Sequence, residues 1–191
     1  MPSSAEQIRF TPDGYLAWEA QQPTRHEYLA GDIFAMTGTS LDHNRLALGL
    51  AARLLAHLQG SPCQVFMADV KVRVEAADAF FYPDLAVTCA PEDLRERQLI
   101  RAPVLIVEVL SPSTAGYDAG ARFAAYRALP SLREYVLIDS ERPRVDVFRR
   151  DASDHWVLWP YAAGDTVELP SLAFSVALEA LYAPVRFGSD G

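Results

Sequence analysis

Two acidic residues stand in segments of this 191-residue chain that are otherwise apolar. Glu108 interrupts residues 103–110 (PVLIVEVL), and Asp84 follows Pro83 within residues 80–88 (FFYPDLAVT). An ionised carboxylate in a buried strand is costly unless it is paired with a cation or coordinates a metal. Proline inside a strand marks an edge or a bulge, and bulges redirect side chains beside active sites. Both acids are therefore candidates for chemistry.

Each acid taken alone could simply have an arginine partner. Two buried carboxylates on neighbouring strands, however, would repel each other, and a divalent metal removes that repulsion. Hard ions such as Mg²⁺ and Mn²⁺ prefer oxygen ligands of this kind. The pair therefore predicts a carboxylate site for a divalent metal, centred on Asp84 and Glu108.

Lys71 is the only lysine among the 17 basic residues. Residues 64–74 (QVFMADVKVRV) alternate like a half-buried strand, with Asp69 and Lys71 opposite the apolar face. If this segment forms a hairpin with residues 80–88, the less apolar faces coincide and Lys71 comes near Asp84. A solvated position or an ion pair with Asp69 explains Lys71 equally well, because the register cannot be determined from sequence.

The elements that must position these residues follow from caps, periodicity and turn residues. A hydroxyl at Thr11 and a proline at residue 12 start the first helix, and four leucines at helical spacing define the second. The predicted helices span about 12–22, 41–59, 118–128 and 175–182. The predicted strands are a hairpin over 25–37, then 64–74, 80–88, 103–110, 134–139 and 144–150, with further strand in 155–161 and 165–172. Strands mixed with helices predict an α/β domain.

Length and composition set the broad class. A chain of this length, half of it hydrophobic, suits a single domain over 1–191 with its core over about 12–182. The net charge of −8 argues against a pure nucleic-acid binder, because phosphate neutralisation requires a basic surface.

Without a signal-peptide pattern or an apolar run of membrane-spanning length, we expect a cytoplasmic protein that contacts no membrane. Two cysteines cannot form a disulfide framework, and Cys89 is expected to be a small core residue.

Six segments, in order, carry a family resemblance. Pro83-Asp84, followed by Glu108-Val109-Leu110 at the end of a buried strand, resembles the signature of PD-(D/E)XK nucleases. The chain as a whole resembles the Uma2 family of bacterial restriction endonucleases between about 12 and 140. The matching segments are RHEYLAGDIFAMTG, HNRLALGLAARLLAHL, ADVKVRV, FFYPDLAV, PVLIVEVLSPST and RFAAYRALPSLREYVLID. The resemblance implies a restriction-endonuclease-like mixed β-sheet flanked by helices.

The resemblance also implies roles for single residues. Glu27 would be the early acidic residue of the site and would join Asp84 and Glu108 around Mg²⁺ or Mn²⁺. The superfamily's lysine would stand two residues after Glu108, where this sequence has Leu110. The family commonly moves the basic residue to the following helix, at the position of Arg122.

The basic group of the site therefore has two candidates. Arginine clamps phosphate well but stays protonated, so Arg122 cannot be a general base. Lys71 could supply an ammonium group from the neighbouring strand. We expect Arg122 to be the main phosphate-facing group and Lys71 a supporting one. Asp118 and Arg122, spaced i, i+4, could instead form a plain surface ion pair. His43 could touch the metal site, although a capping or packing role fits it as well.

Three functions remain open at this stage. The first is a metal-dependent endonuclease acting on phosphodiester bonds, with DNA as the expected substrate and a homodimer as the expected assembly. The second is a non-catalytic binding or regulatory protein that has lost the catalytic lysine. The third is a hydrolase or transferase acting on a smaller phosphate ester. The fold alone does not choose among them.

Overall fold

The structure, a computed structural model, describes residues 9–36, 38–112 and 114–187. Thr37, at the end of the predicted first hairpin, and Ser113, in one of the six matching segments, lie outside the described residues. The helices are α1 (Pro12–Glu19), α2 (Leu41–His57), α3 (the consecutive segments Ala115–Tyr117, Asp118–Arg122 and Phe123–Tyr126) and α4 (Leu178–Tyr182). The strands are β1 (His26–Leu29), β2 (Asp32–Ala35), β3 (Gln64–Met67), β4 (Lys71–Val74), β5 (Ala79–Phe81), β6 (Leu85–Thr88), β7 (Leu99–Ile100), β8 (Pro103–Leu110), β9 (Glu134–Asp139), β10 (Val145–Arg150), β11 (Trp156–Tyr161), β12 (Thr166–Leu169) and β13 (Phe174–Ala177).

These strands form two main sheets and one small one. The first sheet has the order β2-β1-β5-β4-β7, the second β11-β10-β9-β8-β6-β3, and β12 pairs with β13. The second sheet is mixed, because β8 and β9 are parallel while its other pairs are antiparallel. Helix α2 covers one face of this sheet with a stripe of fully buried leucines and alanines, which is why its periodicity was so clear in the sequence.

A long bent hairpin connects the two sheets. Its outer half pairs β3 with β6 in the second sheet, and its inner half pairs β4 with β5 in the first. The predicted pairing of 64–74 with 80–88 is therefore confirmed, but the prediction of one continuous strand on each side was wrong. Ala68 has a φ of 54°, which breaks the first strand, and Pro83 lies in the gap that breaks the second. The bond from Ala68 N–H to the Asp84 carbonyl, 3.2 Å long, holds the two breaks side by side.

The first helices and turns form as their sequences indicate. The Thr11 hydroxyl accepts a hydrogen bond from the Gly14 N–H, and the Ser40 hydroxyl accepts one from the His43 N–H. Each bond satisfies an otherwise free donor at a helix start. The β1–β2 turn has positive φ at Ala30 and Gly31 (49° and 97°), as tight hairpins require.

Helix α3 departs from the prediction of a regular helix over 118–128. It begins at Ala115, and its middle segment, Asp118–Arg122, is a π-helical turn. Such wide turns occur inside α-helices and often at functional sites. The sequence gives no periodic signal for a single extra residue, so the turn could not be predicted.

The two cysteines form a disulfide that the sequence analysis did not foresee. Gln64 pairs with Thr88 across β3 and β6, so Cys63 and Cys89 are the next residues outward on the same two strands. Cys89 does pack against the core as predicted, but it also closes this cross-link. A strand register was needed to foresee the bond, and composition alone does not provide one.

The C-terminal part also differs in detail. The predicted last helix over 175–182 is β13 followed by the short α4, and β7 is a short strand that was not predicted. Within the described ranges, no helix is long and apolar enough to cross a membrane.

Candidate active site

Two of the three predicted acidic residues, Asp84 and Glu108, line one cleft of about 800 Å³, and Glu27 is not among the described residues on its walls. It opens between the start of α2, the ends of β8 and β9, and the first turns of α3. The polar side chains on its walls belong to Thr39, Ser40, Asp42, His43, Tyr82, Asp84, Glu108, Ser111, Thr114, Asp118, Arg122, Ser140, Glu141, Arg142 and Arg186. Elements from distant parts of the chain thus converge on the two acids singled out in the sequence.

Asp84 stands at the break in the long hairpin, just before β6. Its Oδ2 atom accepts a hydrogen bond of 2.7 Å from the Val109 N–H of the neighbouring strand β8. The same oxygen lies 3.2 Å from Nε2 of His43. Because a quarter of the side chain remains exposed, Asp84 is held in place and still open to the cleft.

Glu108 is the most deeply buried acid of the site, with 2% of its surface exposed. Its Oε2 accepts a long bond of 3.4 Å from the Asp84 N–H, and its Oε1 lies 3.1 Å from Nη1 of Arg122. Burial raises the pKa of Glu108 well above its usual range, against the lowering effect of Arg122. The negative charge of Asp84 raises this pKa further, so the two carboxylates repel as the sequence suggested.

Arg122 is the cation at the centre of the cluster. Its Nη2 donates a bond of 2.5 Å to Oε2 of Glu27, while its Nη1 contacts both Glu108 and Asp118. The other oxygen of Glu27 accepts a bond of 3.1 Å from the Tyr82 N–H. Both carboxylate oxygens of Glu27 are therefore engaged, and a metal-ligand role for Glu27 stays a prediction.

The π-helical turn explains how one arginine reaches three acids. Asp118 and Arg122 stand at its two ends, and Asp118 Oδ1 lies 3.0 Å from Arg122 Nη1. The contact is close but poorly aligned: among the described residues this buried oxygen has no hydrogen-bond partner, and neither has Nε of Arg122. The proposed alternative of a plain surface pair was wrong, because only 2% of Asp118 and 12% of Arg122 are exposed.

His43 takes part in the site through its side chain as well as its backbone. Burial lowers the pKa of His43, but the hydrogen bond and charge of Asp84, together with a backbone hydrogen bond to Val109 and the charge of Asp118, outweigh burial, so the pKa is raised. A histidine three residues after a helix N-cap has an obvious structural role. The sequence therefore did not decide between a capping or packing role for His43 and a contact with the metal site. The contact with Asp84 shows that α2 helps to position the acid.

A second layer behind the site was missed entirely. Tyr82, directly before the Pro83-Asp84 motif, donates its hydroxyl to Oε1 of Glu19 at 2.9 Å. Glu19 is buried at the end of α1 and also accepts bonds from the backbone and ring of His26. Glu108 was selected from the sequence because an acid inside a buried strand is unusual. Glu19 was not selected, because a glutamate at the end of a helix is common.

Lys71 faces a different neighbour from the one expected. Its Nζ lies 5.2 Å from the ring centroid of Tyr82, and Lys71 is not among the described residues lining the cleft. Asp69 pairs with Arg25 near the surface. The proximity of Lys71 to Asp84 and the supporting role of Lys71 both stay predictions.

The donor set limits what metal could bind. Asp84 and Glu108 offer hard oxygen atoms, but no group of three or more His, Cys, Asp or Glu residues in the described ranges is arranged to hold a metal. Mg²⁺ commonly keeps several waters and uses only one or two protein carboxylates. The site therefore fits such a cation and not one that needs a complete protein cage.

Two exposed arginines lie at the mouth of the cleft. Arg142 pairs with Asp139 at 2.7 Å but remains 69% exposed. Arg186 and its neighbour Phe187 line the same cleft from the segment that follows α4. Phe187 packs against Tyr182, with ring centroids 5.7 Å apart, and 36% of it is exposed. Positive charge and an aromatic face thus border the acidic interior.

Comparisons with known proteins give concordant matches. The Uma2 family model, described as "Putative restriction endonuclease", matches residues 12–180. The Synechocystis protein slr1290 is 36% identical over 184 residues, which are 96% of this chain and 97% of that protein. A second Synechocystis protein, sll1609, is 32% identical over 146 residues, 75% of this chain and 82% of its own length.

A solved structure from Anabaena variabilis, described as "a putative nuclease belonging to DUF820", superposes with a TM-score of 0.78. It covers 91% of this chain and 98% of its own, at 17% sequence identity. At that identity the likeness concerns the fold alone. It confirms the predicted mixed sheet flanked by helices.

Proposed function

Since the chain belongs to the Uma2 family of restriction-endonuclease-type proteins, we propose that it is a metal-dependent nuclease that hydrolyses phosphodiester bonds, with DNA as its substrate. The observation that supports this most directly is the pairing of Asp84 and Glu108. They meet where the antiparallel strands β6 and β8 lie side by side, and both line the same cleft. Two repelling carboxylates in a partly open cleft form an arrangement that a divalent cation stabilises.

The residues divide the work between binding and positioning. A divalent cation bound by Asp84 and Glu108 would activate a water molecule and neutralise charge on the phosphate. Arg122 has its guanidinium committed to Glu27, Glu108 and Asp118, so we assign it a positioning role. This differs from the phosphate-clamping role that the family resemblance implied.

The substrate's phosphates need cations that are still accessible. Arg142 and Arg186 both line the cleft and are exposed, so their guanidinium groups are available to the phosphates of a bound strand. Phe187 offers an aromatic face on which a base could stack. These three residues allow an acidic protein to hold a polyanion locally.

The test is cleavage of supercoiled plasmid with Mg²⁺ or Mn²⁺. The wild type should nick or linearise the plasmid, and Asp84→Asn should lose more than about a hundredfold in rate, beyond the range of outer-sphere effects. Asp69→Asn is the matched control, since Asp69 is exposed and pairs with Arg25 outside the cleft. Equal activity of Asp84→Asn and wild type would place the reaction elsewhere.

One observation favours a second function. Arg122 already balances much of the charge of Glu27, Glu108 and Asp118 without a metal, as expected of a protein that keeps the fold for binding only. In that case DNA should bind, and lose affinity in Arg186→Ala, while no metal supports cleavage. Filter binding alongside the plasmid assay separates the two functions.

A further inference from the structure

Helix α2 has a second apolar face, which points away from the protein. Leu41, Leu48 and Leu55 follow one another at intervals of seven residues and are 75%, 55% and 57% exposed. We call these three residues the leucine stripe; at 1.5 Å per residue it is about 21 Å long. Single exposed leucines are ordinary, but a row of them along one helix marks an interaction surface.

The inner face of the same helix makes the stripe unusual. Leu46, Leu50 and Leu54 are buried against the second sheet, so α2 is apolar on two opposite sides. A surface helix with one apolar face needs only the core. The second face needs a partner, and none of the described elements covers it.

The charges along the stripe restrict the partner. The exposed charged residue beside it, Arg45, is 2.7 Å from Asp42 on the same helix. The face therefore offers no unbalanced positive charge to DNA or to an anionic membrane, both of which require it. A protein surface that is itself apolar and close to neutral is the complementary partner.

We propose that this partner is a second copy of the chain, with the two α2 helices packed antiparallel about a two-fold axis at Leu48. Leu48 lies seven residues from each of the other two leucines, so antiparallel pairing sets Leu41 against Leu55 of the other copy, twice. Such an isologous contact is the commonest form of homodimer. Although the chain has a net charge of −8, the copies meet through a neutral face and do not repel there.

The helix ends select the antiparallel direction. Asp42 is in the first turn of α2 and His57 in the last. An antiparallel pair brings each helix's N-terminus, with its positive dipole end, beside the partner's C-terminus, whereas a parallel pair would set like ends together. Because Ser40, Asp42 and His43 line the cleft, the pair also fixes the separation of the two clefts, which the two-fold axis relates to each other.

Sedimentation velocity tests the dimer without relying on any nuclease activity. The wild type should associate, and Leu48→Glu and Leu48→Lys should each be monomeric because both place like charges at the axis. Mixing the two variants should restore a heterodimer. Leu158→Glu is the matched control, since Leu158 is 44% exposed on the outer strand β11 and should leave the dimer intact.

Two results would overturn the proposal. One is a wild type that stays monomeric up to about 1 mM, the weakest range of measurable association. The other is a dimer that survives Leu48→Glu, and its dissociation in Leu158→Glu would move the interface to β11. A cross-linking experiment tests whether the two α2 helices pack antiparallel. A mixture of Leu41→Cys and Leu55→Cys should form a covalent heterodimer with a short thiol cross-linker. Efficient cross-linking of Leu41→Cys to itself would contradict the antiparallel arrangement.

Discussion

At the scale of single residues, the carboxylates of the site differ in how free they are. Asp84 is open to the cleft, Glu108 is buried with one oxygen turned toward Asp84, and Glu27 is saturated by Tyr82 and Arg122. The type of residue and the apolar surroundings were enough to select Asp84 and Glu108 from the sequence, whereas Glu27 was selected only through the family resemblance. Their different availability depends on hydrogen bonds from Tyr82 and Arg122, which no sequence pattern displays.

Metal binding should stabilise the protein through Asp84 and Glu108. At a hundredfold excess over its Kd, Mn²⁺ should raise the melting temperature by about 5–10 °C, because it binds only the folded state. Asp84→Asn and Glu108→Gln should abolish the rise. Glu27→Gln should keep it, measured from that variant's own melting temperature; loss of the rise in Glu27→Gln would instead make Glu27 a ligand.

Removing Arg122 should destabilise the protein strongly. Arg122→Ala leaves buried acids without their cation and should cost about 3–5 kcal/mol of unfolding free energy, the usual range for a broken buried pair. Arg122→Lys keeps the charge but cannot bridge three acids with a planar fork, so its loss should be intermediate. Urea denaturation measures both changes.

Arg142→Ala provides the comparison, because its pair with Asp139 is largely exposed and should change stability by no more than about 0.5 kcal/mol. If Arg122→Ala were as stable as Arg142→Ala but unable to cleave DNA, Arg122 would be the phosphate-facing group that the resemblance implied. Lys71→Ala should retain cleavage, because the Lys71 ammonium group lies over the Tyr82 ring.

At the scale of elements, strands and helices with clear periodicity were predicted, whereas breaks within them were not. The hairpin of 64–74 and 80–88 forms, yet a positive φ at Ala68 divides it between two sheets. Alanine gives no warning of that conformation, since glycine or asparagine is its usual occupant. The π-helical turn of α3 was hidden for a similar reason, because tertiary contacts of Asp118 and Arg122 determine it.

The disulfide is the element-scale feature with the clearest consequence for stability. Cys63 and Cys89 are 26 positions apart in the sequence, and the chain between them includes the whole long hairpin. Cys63→Ser together with Cys89→Ser should lower the free energy of unfolding by about 2–4 kcal/mol. A reductant should lower the stability of the wild type to the same level and leave the double variant unchanged, as thermal unfolding would show; an equal response of both proteins would mean that the bond does not form.

At the scale of the whole molecule, burial of acids makes folding sensitive to pH. Glu134 begins β9, is 2% exposed, and accepts bonds from the backbone and hydroxyl of Ser171. Burial raises its pKa above the ordinary 4.5, against the lowering effect of Ser171. A carboxyl whose pKa is higher in the folded state contributes most to stability below the unfolded value and loses that contribution as pH rises through the folded one.

Glu134→Gln should therefore gain stability relative to wild type between pH 4.5 and neutrality, since the amide has no proton to lose. The difference in unfolding free energy, measured by urea denaturation at several pH values, should move in favour of the variant as pH rises. Glu141→Gln, at an exposed position, should follow the wild type at every pH. A Glu134→Gln curve parallel to wild type would show that Glu134 titrates alike in both states.

Three backbone amides of the site donate to carboxylates instead of to carbonyls, and the two shorter of these bonds reach different acids. Val109 N–H donates to Asp84, and Tyr82 N–H donates to Glu27. Each amide proton therefore senses the charge on one identified acid, and its NMR chemical shift and hydrogen-exchange rate should follow that acid alone. Titrating a cation into the ¹⁵N-labelled protein should shift the Val109 resonance first, while the Tyr82 resonance reports whether Glu27 keeps its bond. The fold thus contains a pair of internal spectroscopic probes that distinguish the two acids without any substrate.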